Sequence, residues 1–268
     1  MKVIATDLDR TLIPNGKNRL SNGAMELFKK LLKKNKVSLV YVTGRNKRLI
    51  LDAMKRYNLP KPLYCISLVG VAIYKYSNGK LVEDLEWQSK LERSCFSCTA
   101  SNIRLALSSL KLKSQSSAYL HKFKQSYYVN IGDKHILKKV KALLKRFKIN
   151  AAVVYSIDTK RNVGLIDILP PNATKIKALS YVIKKLGLKN SDMVFCGDSG
   201  NDLSALTSGI KAILVKNAHE SVKQELLKFG NPKKFYIAQG NFFVNGTKLN
   251  GNYVSGIIEG AYHFGLFK

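Results

Sequence analysis

Carboxylates at the ends of two apolar runs are the residues best placed to do chemistry in this sequence. Val194-Phe195-Cys196-Gly197 leads into Asp198-Ser199-Gly200-Asn201-Asp202, and Val3-Ile4-Ala5-Thr6 leads into Asp7-Leu8-Asp9. An apolar run that stops at glycine or acid is how a buried parallel strand leaves its sheet, and open α/β sheets place their sites at such strand ends. Two strand ends that carry three or four carboxylates make an all-oxygen donor set, which suits a hard divalent cation such as Mg²⁺.

The elements that must position these acids follow from the pattern around them. Residues 2–6 read as a strand. A helix is predicted over 23–34, with an apolar stripe at Met25, Leu27, Phe28, Leu31 and Leu32 and Ser21 in the N-cap position. Residues 37–42 read as a strand ending at Thr43-Gly44-Arg45, and the helix after it runs to about Tyr57 and closes at Leu59-Pro60. Strand–helix–strand–helix predicts a parallel α/β sheet, a Rossmann-like core. Residues 63–69 and 71–76 read as further strands, with a hairpin turn at Ser77-Asn78-Gly79-Lys80.

From Asp84 the pattern changes. Two amphipathic helices, around 101–110 and 135–147, alternate with short strands at 127–131 and 151–155. This predicts an α+β module inserted over residues 84–167, between two core segments at 1–83 and 168–268. After a turn at Thr159–Asn162, residues 163–169 read as the returning strand. The helix 176–186 begins beside Lys175, where a lysine opposes the helix dipole and gains from binding an anion. A helix at 203–207, a strand at 212–215, a helix at 221–228, a Gly/Asn-rich loop at 240–252 and a helix at 255–264 complete the chain.

Bulk composition narrows the class. The 268 residues are 46% hydrophobic, enough for a sizeable core and against disorder. No apolar run approaches the ~18 residues of a membrane span, and the N-terminus lacks a signal-peptide pattern, so a cytoplasmic protein is expected. The lone Cys95–Cys98 pair has no second pair to complete a zinc site, so reduced cysteines are expected. His121, His135, His219 and His263 do not cluster; His219 reads as a surface or capping residue. The net charge of +29 would attract anions. Its lysines are spread over nearly every predicted helix, and nucleic-acid readers concentrate arginine and aromatics on one face, so a solvated surface is the favoured reading.

At the acidic strand ends the sequence resembles the haloacid dehalogenase (HAD) superfamily of phosphohydrolases. Asp7-Leu8-Asp9-Arg10-Thr11 is similar to its DxDxT motif, Thr43-Gly44 to its second motif, Lys175 to its third and Gly197-Asp198-Ser199-Gly200-Asn201-Asp202 to GDxxND. The inserted module resembles the C2-type cap of that superfamily. The nearest likeness is the sucrose-phosphate phosphatase group, carried by residues 67–74, 121–129, 167–170, 217–220 and 256–260. Two positions depart from the pattern: Arg10 stands where Gly or Asn is common, and Ile176 where Gly commonly follows the lysine.

The resemblance implies a Mg²⁺-dependent phosphatase acting on a sucrose-6-phosphate-like disaccharide phosphate through an aspartyl-phosphate. Alternatives are a phosphatase or phosphotransferase of the same superfamily acting on another small phosphate ester, such as mannosyl-3-phosphoglycerate or a hexose phosphate, and, less favoured, a basic nucleic-acid-binding protein. By resemblance Asp7 is the nucleophile and Asp9 the acid and base. Mg²⁺ sits on Asp7, the Asp9 main-chain carbonyl and Asp198, with Asp202 orienting that set. Thr43, Gly44, Lys175 and Asn201 bind the phosphate. Sugar contacts are expected from Glu86, Trp87, Gln88, Lys122, Lys124, Gln125 and Tyr127, because sugars favour planar hydrogen bonders and a ring to stack on. A phosphorylated sugar is the expected partner, with no membrane and no specific nucleic acid.

Overall fold

The computed structural model describes residues 1–94, 97–117, 120–158 and 161–268. Cys95 and Thr159, expected in a cysteine pair and a turn, lie outside the described residues. The first half of the core alternates β1 (Lys2–Thr6), α1 (Ala24–Lys34), β2 (Val37–Val42), α2 (Lys47–Arg56) and β3 (Tyr64–Ser67). β4 (Ala72–Ser77) and β5 (Lys80–Glu83) form the expected hairpin, and α3 (Leu85–Ser94) follows. The second unit holds α4 (Ala100–Leu107), β6 (Lys113–Ser114), β7 (Gln125–Val129), α5 (Lys134–Arg146), β8 (Ala152–Asp158) and β9 (Val163–Leu169). The chain then returns through α6 (Lys175–Lys185), β10 (Met193–Gly197), α7 (Leu203–Leu206), β11 (Lys211–Leu214), α8 (Glu220–Phe229) and β12 (Phe235–Ile237). It closes with β13 (Phe242–Val244), β14 (Thr247–Leu249) and α9 (Val254–His263).

The main sheet has the order β12-β11-β10-β1-β2-β3-β4-β5. It is parallel from β12 to β3 and antiparallel at β4 and β5. Its inner strands β1, β3, β10 and most of β2 are apolar because both faces are covered, whereas β4 and β5 at the edge carry exposed polar residues. Ile4 belongs to the layer shared with α1 and α9, whereas Val3 and Ala5 belong to the layer shared with α6 and α8. From β1 the chain winds one way to β2, and after the insertion it returns on the other side of β1 to β10. That reversal is a topological switch point, where a crevice opens beyond the strand ends. Ala5 pairs with Phe195 and Thr6 with Cys196, so Asp7 and Asp198 leave the sheet side by side.

The second unit is a four-stranded antiparallel sheet, β6-β7-β9-β8. One face packs on α4 and α5 through Ile103, Leu107, Val140 and Leu144 against Tyr127, Ile166 and Ile168. Two boundaries differ from expectation. β9 pairs along its whole length with β7 and β8, so it is an inner strand of this sheet and a division at residue 168 cuts through it. α3 packs on the core, because Trp87 and Leu91 join the layer of Val40, Ile66 and Val182. Its apolar positions are few and widely spaced, which hid it in the sequence.

Smaller differences have local causes. α1 begins at Ala24 after Gly23, which offers no side-chain cap, and the Ser21 hydroxyl instead accepts from the Asn250 N–H at 2.9 Å. The expected 240–252 loop contains the β13–β14 hairpin, turned at Asn245-Gly246. His219 is the N-cap of α8, as read. Cys65, Cys98 and Cys196 are unbridged and buried. No helix among the described residues is long and apolar enough to cross a membrane.

Trp87 is 4% exposed, and its indole N–H donates to the Gly70 carbonyl at 3.0 Å. Trp87→Ala empties that volume and should lower the unfolding free energy by about 3–5 kcal/mol in denaturant titration. A loss under about 1 kcal/mol would contradict the core assignment.

Candidate active site

Lys175 organises the strand ends. It is the first residue of α6, capped by Thr174, whose hydroxyl accepts from the Lys177 N–H at 3.4 Å. Its ammonium is fully buried and donates to Asp7 Oδ1 at 3.0 Å and Asp202 Oδ1 at 2.8 Å. Ile176, at the departing position, packs on the core and leaves the helix start regular. Asp202 spends its other oxygen on the Asp198 and Ser199 N–H groups, both at 3.1 Å, and on the Ser199 hydroxyl at 3.2 Å. Gly197 makes room for this turn, since a Cβ there would lie 2.7 Å from the Asp202 side chain. Asp202 therefore fixes Lys175 and the loop.

Asp198 differs. Its Oδ1 accepts from the Thr11 hydroxyl at 2.9 Å, while its buried Oδ2 has no hydrogen-bond partner. Arg10 Nη2 lies 3.3 Å from Oδ2, an ion pair without hydrogen-bond alignment. Carboxylate oxygens of Asp7, Asp198 and Asp202 gather within 4.8 Å of one another. Burial raises the Asp7 carboxyl well above its usual range, and Lys175 opposes while Asp202, Asp198 and Asp9 add. Burial likewise pushes Asp198 up to about 7, against the pull of Arg10. Burial pulls Lys175 down, but Asp202 and Asp7 outweigh it and the ammonium is held more firmly than usual. Three acids around one inner ammonium leave surplus negative charge and one orphaned oxygen. That donor set, oxygen only, fits Mg²⁺.

Asp9 points from the same loop into a different set. Arg45 grips it with a two-toothed fork, Nε to Oδ2 at 2.8 Å and Nη2 to Oδ1 at 2.7 Å, and the Asn15 amide donates to Oδ1 as well. Sequence reasoning quoted Arg45 but gave it no role. Its signal was position, two residues after Thr43 at the next strand end. Thr43 is fully buried, and its hydroxyl accepts from the Arg45 N–H at 3.2 Å. Gly44 and Asn201 line the cavity above the acids, with Asp7, Asp9 and Asp198.

That cavity has a volume of about 440 Å³. Its far wall is the open face of the β6-β7-β9-β8 sheet, which contributes Gln115, Lys124, Tyr128, Ser156, Arg161 and Asp167. Lys124 is 2% exposed, 2.8 Å from Asp167 Oδ1, and donates to the Ser126 hydroxyl at 2.7 Å. The two units touch where Gly200 meets β8, and a Cβ on Gly200 would lie 2.7 Å from the Tyr155 carbonyl oxygen.

Of the expected sugar contacts, only Lys124 lines this cavity. Trp87 is in the core. Gln88 donates to Glu83, Glu86 pairs with Lys90 at 3.0 Å, and Lys122 pairs with Glu92 at 2.7 Å. Gln125 is buried under Arg104, and Tyr127 packs beneath α4 and α5. Successive strand residues face opposite ways, so once Tyr127 points to the helices, Ser126 and Tyr128 point to the cavity.

The profile of the sucrose-6F-phosphate phosphohydrolase family matches residues 1–265. The chain belongs to this family. It is thus a HAD-type phosphohydrolase, a phosphoric monoester hydrolase, and the inserted sheet is its cap. The "Putative HAD-like hydrolase" of Nitrosococcus oceani is 34% identical over 268 residues, which covers 98% of this chain and 71% of that one. The mannosylfructose-phosphate phosphatase of Agrobacterium fabrum is 26% identical over 267 residues, 99% of this chain and 98% of that one. Among solved structures, the sucrose-phosphatase of Synechocystis sp., in complex with sucrose and phosphate, has the same fold with a TM-score of 0.82. Its identity is 23%, and the match covers 98% of each chain.

Asp198 gives a test of the metal fit that needs no substrate. A carboxyl raised in the folded state makes the folded chain bind more protons than the unfolded one between about pH 4 and 7, so this group's stabilisation fades as pH rises through that window. Mg²⁺ must displace that proton and is opposed at low pH. The Mg²⁺-induced rise in Tm is therefore expected to grow between about pH 5 and 8, and to vanish in Asp198→Asn. An equal rise at both pH values, or one retained in Asp198→Asn, would contradict the fit.

Proposed function

We propose that the chain hydrolyses a disaccharide phosphate of the sucrose 6-phosphate type, with the phosphoryl group carried transiently on Asp7. The observation that carries this reading is the buried Lys175 clamp at the floor of a polar cavity. It fixes one carboxylate, Asp7, beside the orphaned oxygen of another, Asp198. Relatives support the substrate class, since the Agrobacterium fabrum enzyme is named for mannosylfructose phosphate and the Synechocystis structure holds sucrose and phosphate.

Asp7 attacks phosphorus as the bond to the sugar oxygen breaks, and Asp9 gives that oxygen a proton. Water then attacks the same phosphorus and gives its proton to Asp9, and phosphate leaves Asp7. Asp7, Asp198 and the Asp9 main-chain carbonyl would hold Mg²⁺, which when bound would supply neutralisation of phosphoryl charge. Lys175, Gly44 and Asn201 donate to the phosphoryl oxygens, and Thr43 shapes the turn that presents Gly44. The Arg45 fork fixes where the Asp9 carboxyl sits for both proton transfers. The cap covers the reacting groups and offers Lys124, Asp167, Gln115 and Tyr128 to sugar hydroxyls.

Two measurements test this. Asp7→Asn should remain folded by circular dichroism and lose turnover by about 10³-fold or more. A folded variant with normal turnover would remove Asp7 from the chemistry. Tyr128→Ala and Gln115→Ala should raise KM for sucrose 6-phosphate by roughly tenfold while leaving p-nitrophenyl phosphate nearly unchanged, since only the larger ester has remote groups to lose. Equal losses on both esters would remove these residues from sugar recognition. Preference of the parent enzyme for a hexose phosphate or mannosyl-3-phosphoglycerate would overturn the disaccharide assignment.

A further inference from the structure

Arg10 has a backbone conformation ill suited to it. Its φ is +62°, in the left-handed region that favours Gly or Asn. The surroundings hold it there: its N–H donates to Asn15 Oδ1 at 2.8 Å, and the Asn217 amide donates to its carbonyl at 2.6 Å. Asn217 is itself fixed, since its Oδ1 accepts from the Tyr253 N–H at 2.7 Å. The clamp would hold Asn or Gly at position 10 with less strain, so the reason for arginine must lie in its side chain.

The guanidinium reaches back over the metal-binding acids. Its Nη2 lies 3.3 Å from Asp198 Oδ2 and donates to the Asn217 carbonyl at 3.4 Å. Among the described residues, Asp198 Oδ2 is the buried oxygen of the acidic cluster without a hydrogen bond, and so it is open to a divalent cation. The side chain also lines the substrate cavity, so it has space to move into.

We propose that Arg10 is a built-in competitor for Mg²⁺. Guanidinium and metal use the same Asp198 oxygen, and binding of the metal turns the guanidinium into the cavity, where an incoming phosphate receives it. In the free protein the arginine neutralises Asp198 and keeps metal affinity low. Once a phosphate is present the displaced cation has a partner, and metal affinity rises. Metal and anion binding are thereby coupled through one side chain, and by reciprocity each strengthens the other. The inference rests on the reading of Asp7 and Asp198 as Mg²⁺ ligands.

The test is calorimetric titration of Mg²⁺ into the substrate-free protein, with and without inorganic phosphate, for wild type, Arg10→Asn and Arg10→Gly. Both replacements suit the backbone, so both should remain folded by circular dichroism. Without phosphate, both should bind Mg²⁺ at least about tenfold tighter, as expected for removal of a unit charge beside a ligand oxygen. The further gain that phosphate gives wild type should shrink by a similar factor. Mg²⁺ affinity equal to or weaker than wild type in both variants would overturn the proposal. Failure of wild type to bind Mg²⁺ under either condition would overturn the metal reading itself.

Discussion

An ammonium with no access to water, held between Asp7 and Asp202, is the interaction on which the rest depends. A buried charge is tolerated only when paired and hydrogen-bonded, and removing one partner of such a pair costs about 3–5 kcal/mol. Lys175 meets that condition because three separate parts of the chain converge. β1 delivers Asp7, β10 delivers the loop with Asp202, and the start of α6 delivers the lysine. The adjacency of β1 and β10 at the sheet's reversal is thus also an electrostatic requirement. The clamp leaves a deliberate imbalance, since Asp202 is satisfied, Asp7 is half occupied and Asp198 keeps an oxygen with no donor. The floor can hold a further cation and, above it, an anion.

Two arginines extend this logic. Arg45 holds Asp9 apart from the acidic cluster, so that two carboxylates two residues apart live in different environments. Asp7 is buried beside an ammonium, and Asp9 is half-exposed in a guanidinium fork. Separate environments allow one carboxylate to attack while its neighbour moves a proton. Arg10 completes the ring around Asp198. The cap then adds Lys124 and Asp167, a buried pair that borders the cavity.

The core was legible because its signals are strong. Parallel strands covered on both faces must be apolar along their length, so Val3–Thr6, Val37–Val42 and Val194–Gly197 stood out, and each ended in the residues that line the floor. The cap was harder to read. Its sheet has one face under helices and the other over a cavity that is itself polar and partly filled by Lys124, Ser126 and Asp167. Alternation therefore showed that there were two faces without showing which was which. Gln125 and Tyr127 are the positions expected at the sugar, whereas it is their neighbour Tyr128 that lines the cavity. Trp87 was misread for a related reason: its aromatic surface suits a sugar as well as a core, and only the short helix α3 decides between them. The Asp9–Arg45 fork joins residues 36 apart in sequence, a distance no local pattern spans.

The central claim is that Asp7 carries the phosphoryl group. It is tested most directly by quenching the enzyme in acid during turnover of sucrose 6-phosphate, reducing with borohydride and sequencing the N-terminal peptide by mass spectrometry. An acyl-phosphate on Asp7 would be reduced to homoserine, so the account predicts homoserine at position 7 in amounts that depend on substrate and on Mg²⁺. Active turnover with aspartate intact at position 7, or with the phosphoryl group trapped on another residue, would contradict it.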